Sequence, residues 1–290
     1  MSVICPVCNK FVCAKHFDIW WNAEKFDWQK DSWALARYCH MHFHKWFDPN
    51  RYNWTDASWA LAKYCSDYFD KWWNPERYNW DDASWALAQY CHMYFDKWWD
   101  ENKFSWNCAQ ILAIYCSDYF DKWWNENKFD WTLHSGEIAR YCHMHFHKWW
   151  HSDRFNWKFH SDEIARYCHM HFHKWWNPNK FNWAWDSRAL AKYCSKYFDV
   201  WWDKTKFNWK DDSWALAQYC SQYFDVWWHP QLFNWKKGLE HLAKYCMMHV
   251  DKWFICRNFN FFEIDLIKRC CPEEYRHKLS DLGLYTILST

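Results

Sequence analysis

Residues 32–47 read SWALARYCHMHFHKWF. The stretch has no Gly or Pro, and Asp31 or Ser32 offers a side-chain oxygen to start a helix. At 100° per residue, Leu35, Ala36, Cys39, His42, Phe43 and Trp46 fall within about 120° of one another. That pattern predicts a helix of about 17 residues with one buried stripe, roughly 25 Å long.

The same string returns. YCHMHFHKWW stands at 141–150 and 167–176, and YCSDYFDKWW at 64–73 and 115–124. Cys13, Cys39, Cys65, Cys91, Cys116, Cys142, Cys168, Cys194, Cys220, Cys246 and Cys271 mark a period of 26 residues, with 25 at two steps. A fixed period of this length is the mark of stacked repeats. Agreement among copies separates the registers. That of Leu35 holds Leu or Ile in nine copies, that of Ala36 holds Ala and that of Trp46 holds Trp. These are core positions. Just after the Trp pair, Asp48-Pro49, Asn74-Pro75, Asn177-Pro178 and His229-Pro230 share one register. A cap residue before Pro reads as a helix start, so a short second helix or single turn follows.

The expected fold is therefore all-α: an α-solenoid of about eleven repeats, each one long helix plus one short helix or turn. A leucine-rich-repeat-like coil, with KFNW as a very short strand, is the alternative. Residues 1–12 read as an N-terminal cap, 13–261 as the tandem repeats, and 262–290 as a degenerate last repeat and C-terminal cap. LGLYTILST at 282–290 is expected to cover that end. The string YC-x3-FDKWWNP-x-KFNW resembles the Trp/Cys-rich tandem repeats of large (giant) DNA viruses. The resemblance spans most of the chain and brings no activity or catalytic residue with it.

Composition narrows the function. With 36 basic and 35 acidic residues the formal net charge is +1, so no global field draws nucleic acid or anionic lipid. No apolar run approaches the about 18 residues of a membrane span. MSVICPVCNKFVCAKHF lacks a secretory core. Sixteen Cys without an export signal predict a reducing, intracellular setting, the cytoplasm or a viral particle. No phosphate loop or Ser-nucleophile motif appears, so the chain is read as no enzyme. Asp67 with Lys71, and Asp118 with Lys122, read as surface pairs at i,i+4.

Three groups carry candidate chemistry. Cys5-x2-Cys8-x4-Cys13-x2-His16 has a donor set and spacing suited to tetrahedral zinc, although Cys13 and His16 also sit in the registers of Cys39 and His42. The His42 register alternates His with Tyr, which suits a flat ring at the rim of a core rather than a metal ligand. His143, His147, His169 and His173, like His40 and His44, are paired at i,i+4 on the polar side. They suit either a solvated face or a His cluster that binds metal or senses pH.

Trp33, Trp59, Trp85 and Trp214 share a register that elsewhere holds Gln110, Gly136, Asp162, Arg188 and Glu240. A register that tolerates charge faces outward, which makes these Trp candidate contacts. Arg37, Lys63, Arg140, Arg166 and Lys192 form a modest basic stripe. The leading expectation is a non-enzymatic scaffold for protein–protein interaction or self-assembly. Single-stranded nucleic-acid binding by aromatic stacking and carbohydrate binding on Trp platforms are the alternatives. No cofactor is required, and zinc is a candidate ligand at the N-terminus.

Overall fold

The computed structural model describes residues 4–284, in two compact units, Met1–His145 and Phe146–Thr290. The chain is an all-α repeat solenoid. Among the described residues the β pairing is limited to an isolated bridge between Ile4 and Phe11, so the leucine-rich-repeat alternative falls. Residues 285–290, most of the stretch expected to cover the C-terminal end, lie outside the described residues. No described helix is long and apolar enough to cross a membrane.

In the N-terminal unit the long helices Trp28–Cys39, Trp54–Tyr64, Trp80–Tyr90, Ala109–Tyr115 and Trp131–Tyr141 pack each on the next. In the C-terminal unit Trp157–Tyr167, Trp183–Tyr193, Trp209–Tyr219, Trp235–Tyr245 and Phe261–Cys270 do the same. A 3-10 turn and a four-residue helix follow, such as Ser66–Tyr68 and Phe69–Trp72. The degenerate last repeat keeps this order, with Glu273–Tyr275 and Arg276–Asp281 after its long helix.

The 17-residue helix expected at 32–47 is thus interrupted. The break falls at the Cys register, where Cys65 takes φ −122° and ψ 26°. Leaving the helix frees the Cys carbonyl, and the structure finds it two donors. The Tyr68 amide reaches Cys65 O at 2.9 Å and Trp72 Nε1 at 2.8 Å. Trp46, Trp98 and Trp123 repeat the indole bond on Cys39, Cys91 and Cys116. A buried Trp needs a partner for its N–H, and the break supplies one.

The helix start also differs from the expectation. Most long helices begin four residues earlier, at the Trp of F-N-W, and in most of these the preceding Asn or Asp side chain is the cap. Asn53 Oδ1 accepts from Asp56 N at 3.2 Å, and Asp27 Oδ1 from Lys30 N at 3.2 Å. Ser32 and Ser58, expected near the cap, are buried instead. Ser58 Oγ donates back to Trp54 O and accepts the Asn79 amide of the next repeat at 3.1 Å. Asn79 Nδ2 in turn donates to Thr55 O at 2.5 Å. One Asn therefore caps its own helix and ties it to the preceding one. The Asn-Pro segments are single turns: Tyr78 N reaches Asn74 O at 3.0 Å.

Fixed side chains complete the joint between repeats. Cys91 Sγ points at Ala62 O, 3.5 Å away, and Cys246 Sγ at Ala217 O, 3.4 Å. Burial pushes the Cys91, Cys194 and Cys220 thiols up to about 12, so each stays a neutral donor. The His/Tyr register stacks on the Phe of the preceding repeat. Phe69–Tyr94 and Phe120–His145 have centroids 4.6 Å apart and planes within 7°. Phe146–His171 and Phe198–Tyr223, at 4.5 Å, do likewise. Any flat ring with a polar edge serves, which is why His and Tyr interchange. Lys122 pairs with Asp96 of the preceding repeat rather than with Asp118, and Lys97 with Asp70 at 2.5 Å. These exposed pairs add little stability.

Candidate metal centre and the outward registers

The first repeat has no long helix in front of it. Residues 4–12 form a tight turn there instead: Cys5 N bonds Lys10 O and Asn9 N bonds Cys5 O, both at 2.9 Å. Asn9 and Val12 hold positive φ, 55° and 43°. For Val12 this is an unfavourable backbone state, costing about 1–3 kcal/mol. Its side chain is buried, and its carbonyl meets Cys39 Sγ at 3.8 Å. That contact replaces the Ala carbonyl used in later repeats.

The turn brings Cys5, Cys8, Cys13 and His16 together, with their donor atoms all within 4.8 Å of one another. Cys8 Sγ lies 3.4 Å from Cys13 Sγ. His16 Nδ1 lies 3.6 Å from Cys5 Sγ and 3.7 Å from Cys13 Sγ. Tetrahedral edges around zinc are about 3.8 Å between sulfurs and about 3.5 Å between sulfur and nitrogen, from bond lengths of about 2.3 and 2.05 Å. The four groups lie close enough to bind a metal. Burial raises the Cys5 thiol, but the Cys8 and Val7 amides and the Cys8 and His16 side chains outweigh it, bringing it down to about 7. At Cys8 the Lys10 amide favours the anion, yet burial and the neighbouring Cys13 and Cys5 leave it raised.

Register equivalence gives this cluster its meaning. In the repeats from Cys65 to Cys246 the thiol of the Cys13 register bonds the preceding repeat, as at Cys65, Cys91 and Cys246, and the ring of the His16 register stacks on the preceding repeat's Phe. Here the described residues in front are the turn 4–12, and both side chains turn to Cys5 and Cys8. Toward the second repeat the first is ordinary: Trp20 Nε1 bonds Cys13 O at 2.7 Å, and Phe17 stacks on His42 at 4.6 Å.

The other candidates are placed as follows. Trp33, Trp59, Trp85 and Trp214 are half-buried rather than open. Each lies against the Tyr five residues on, as in Trp59–Tyr64 at 6.2 Å, and Trp59 and Trp85 donate to Asp56 O and Asp82 O. The basic stripe runs over the Tyr rings. Arg37 and Arg140 lie 5.1 Å from the centroids of Tyr38 and Tyr141. Lys63 sits between Tyr64 and Tyr90, Arg166 between Tyr167 and Tyr193, and Lys192 between Tyr193 and Tyr219. Those ring faces are taken by cations.

The paired His lie on a broken helix, not a continuous one, because the chain leaves the long helix at Cys and passes through a 3-10 turn. His143 and His169 sit on the turns, with Nδ1 3.1 and 3.0 Å from Arg140 O and Arg166 O. His147 and His173 sit on the short helices Phe146–Trp149 and Phe172–Trp175. His44 and His173 meet the rings of Tyr68 and Tyr197 edge-on, at 5.1 and 5.0 Å. The i,i+4 spacing therefore does not set the two rings of each pair one helical turn apart.

Sequence reasoning passed over Phe159 and Trp185. They are 63 % and 76 % exposed, at a register that holds Asp56, Asp82 and Asp211 in other copies. The exchange of a carboxylate for an aromatic ring at a solvent-facing register is the signal that marks them. Compared with protein-family models, with curated proteins and with solved structures, the chain matches none.

Proposed function

We propose that the chain is a non-enzymatic repeat scaffold that binds protein, a second copy of itself included, through Trp33, Trp59 and Trp85 in its N-terminal unit and through Trp214 in its C-terminal unit. A zinc ion held by Cys5, Cys8, Cys13 and His16 pins the turn 4–12 onto the first described repeat. One observation carries the reading. The fixed registers are engaged in joining repeat to repeat, which leaves recognition to the variable registers around the half-buried Trp. A protein partner can cover such an indole edge, since Trp anchors contribute most when desolvated. The Cys3His donor set is one that zinc favours in structural sites. Nucleic-acid binding draws less support, because the cations lie over the Tyr faces on which bases would stack.

Sedimentation velocity from about 50 to 500 mM salt, over a range of protein concentrations, tests the scaffold. The expected result is salt-tolerant self-association that is lost in a Trp59→Asp, Trp85→Asp variant. A monomer at every concentration, with tight and steeply salt-dependent binding of a labelled oligo(U), would move the assignment to single-stranded nucleic acid.

A further inference from the structure

The C-terminal unit holds a cleft of about 950 Å³ at the starts of two successive long helices, Trp157–Tyr167 and Trp183–Tyr193. Trp157 and Phe181 are its buried floor, and Phe159 and Trp185 line it from solvent-exposed positions. Its size falls in the range of small-molecule sites.

Nothing in the fold requires these two aromatics. Their register faces solvent in most copies; in other repeats it holds Lys30, Asp56, Asp82, Asp211 or Lys237, with Cys108 and the exposed but non-aromatic Leu133 as exceptions. Where it holds Asp, the carboxylate supports the neighbouring cap: Asn53 Nδ2 donates to Asp56 Oδ2 at 2.8 Å, and Asn79 Nδ2 to Asp82 Oδ2 at 3.1 Å. With Trp at 185, Asn182 lacks that partner, and its side chain no longer caps its own helix. Its Nδ2 bonds Lys158 O at 2.7 Å, which leaves Oδ1 as an acceptor in the cleft wall. The helix before it is distorted at His160, with φ −132° and ψ 21°. Two exposed rings, a lost cap and a bent helix lower folding stability at one place, which suits a site that recovers the loss on binding.

The polar groups select the ligand. Lys180 is engaged by Asp153 at 2.5 Å and by Ser152. Lys158 lies 5.2 Å from the Phe159 centroid and is the remaining cation. Asp186 and Asn182 supply acceptors. A phosphate ligand would face Asp153 and Asp186 with one uncommitted cation. A cationic side chain would meet Lys158 already beside the Phe159 ring. An apolar peptide would leave Asn182 and Asp186 without partners, which is unfavourable. A neutral sugar ring meets each condition, with an apolar C–H face for an exposed aromatic plate and hydroxyls that both donate and accept. We propose that this cleft is a binding site for a neutral saccharide, with Trp185 as its stacking platform, Phe159 as an apolar wall and Asn182, Asp186 and Lys158 as its hydroxyl partners.

Saturation-transfer difference NMR on the full chain tests this, with cellohexaose, mannohexaose and N-acetylchitohexaose as probes, beside oligo(dT) and an oligolysine peptide. Saturation should pass from the protein's aromatic protons to the C–H protons of at least one sugar. Trp185→Asp, which installs the residue of Asp56, Asp82 and Asp211, should weaken binding at least about tenfold. Phe159→Asp should act in the same direction, and Ile255→Asp, at an exposed position outside the cleft, should leave binding intact. An amide spectrum matching the parent's would show that Trp185→Asp is folded; should it not be, Phe159→Asp carries the test. Transfer to none of the sugars, undiminished transfer in both cleft variants, or transfer confined to the oligonucleotide or the peptide would overturn the assignment. None of these outcomes depends on whether the chain self-associates.

Discussion

At the scale of single residues, side chains that look alike in the sequence do unlike work. Trp123 is 1 % exposed and bonds Cys116 O, whereas Trp59 is half-buried with an edge in water. Trp123→Ala should cost about 3–5 kcal/mol through lost burial and a cavity. Trp59→Ala should cost about 1 kcal/mol or less. Urea titration of the two variants checks this, and equal losses would contradict the assigned faces. The His/Tyr register gives a second test. His145 stacks on Phe120 at 4.6 Å, so His145→Tyr should change stability by under about 0.5 kcal/mol, while His145→Ala should cost about 0.5–1.5 kcal/mol beyond its lost area. Parallel urea midpoints for the two variants would show the ring to be idle. Cysteine labelling gives a third. Cys39, Cys91 and Cys220, buried and pushed up to about 12, should resist iodoacetamide in the native state while exposed Cys256 reacts first; peptide mass mapping reads the order. That the Cys are buried was legible in the stripe of Leu35, Ala36 and Cys39. That their thiols bond an Ala carbonyl of the preceding repeat was not, because the contact joins residues 29 apart in sequence.

At the scale of the element, the long helix was legible and its ends were not. Leu35, Ala36 and Cys39 give the buried face, but Ser32 imitates the cap that Asp27 supplies, and the bonds that hold the next cap, Asn53, in place reach into the preceding repeat. The break at Cys is likewise invisible locally, since no Gly or Pro marks it. It is stabilised by an indole seven residues on. The acids at the starts of two C-terminal-unit helices make a pH prediction. Burial, then Glu163 and Asp212, with Arg188 and His160 opposing, leave Asp186 raised from 3.8 to about 6. A carboxyl raised on folding lends stability that is full below its unfolded value and lost as pH rises through the folded one. Between pH about 7 and 4, then, the parent should gain stability over Asp186→Asn as the solution is acidified. Asp162, raised to about 7 by burial and Glu163, acts in the same sense. Urea midpoints at several pH values for parent and variant check this; a constant difference between them would refute it.

At the scale of the whole chain, each repeat is finished by its predecessor: a carbonyl for its thiol, a Phe for its ring, a Ser for its cap. The period of 26 made the array legible. The Cys5-x2-Cys8-x4-Cys13-x2-His16 spacing made the candidate metal group legible too, although Cys13 and His16 double as repeat residues; the turn from Cys5 to Val12 shows why they differ here. The proposed zinc at Cys5, Cys8, Cys13 and His16 occupies the place where later repeats receive the carbonyl and the Phe of a preceding repeat. Cobalt titration of the metal-stripped chain, followed by amide hydrogen exchange with and without metal, tests it most directly. The prediction is one cobalt per chain in a tetrahedral thiolate site, abolished by Cys13→Ser, with protection gained most over Phe17–Trp46 and fading along the following repeats. Sub-stoichiometric cobalt, or a site that forms with no gain of protection in the first repeats, would contradict it.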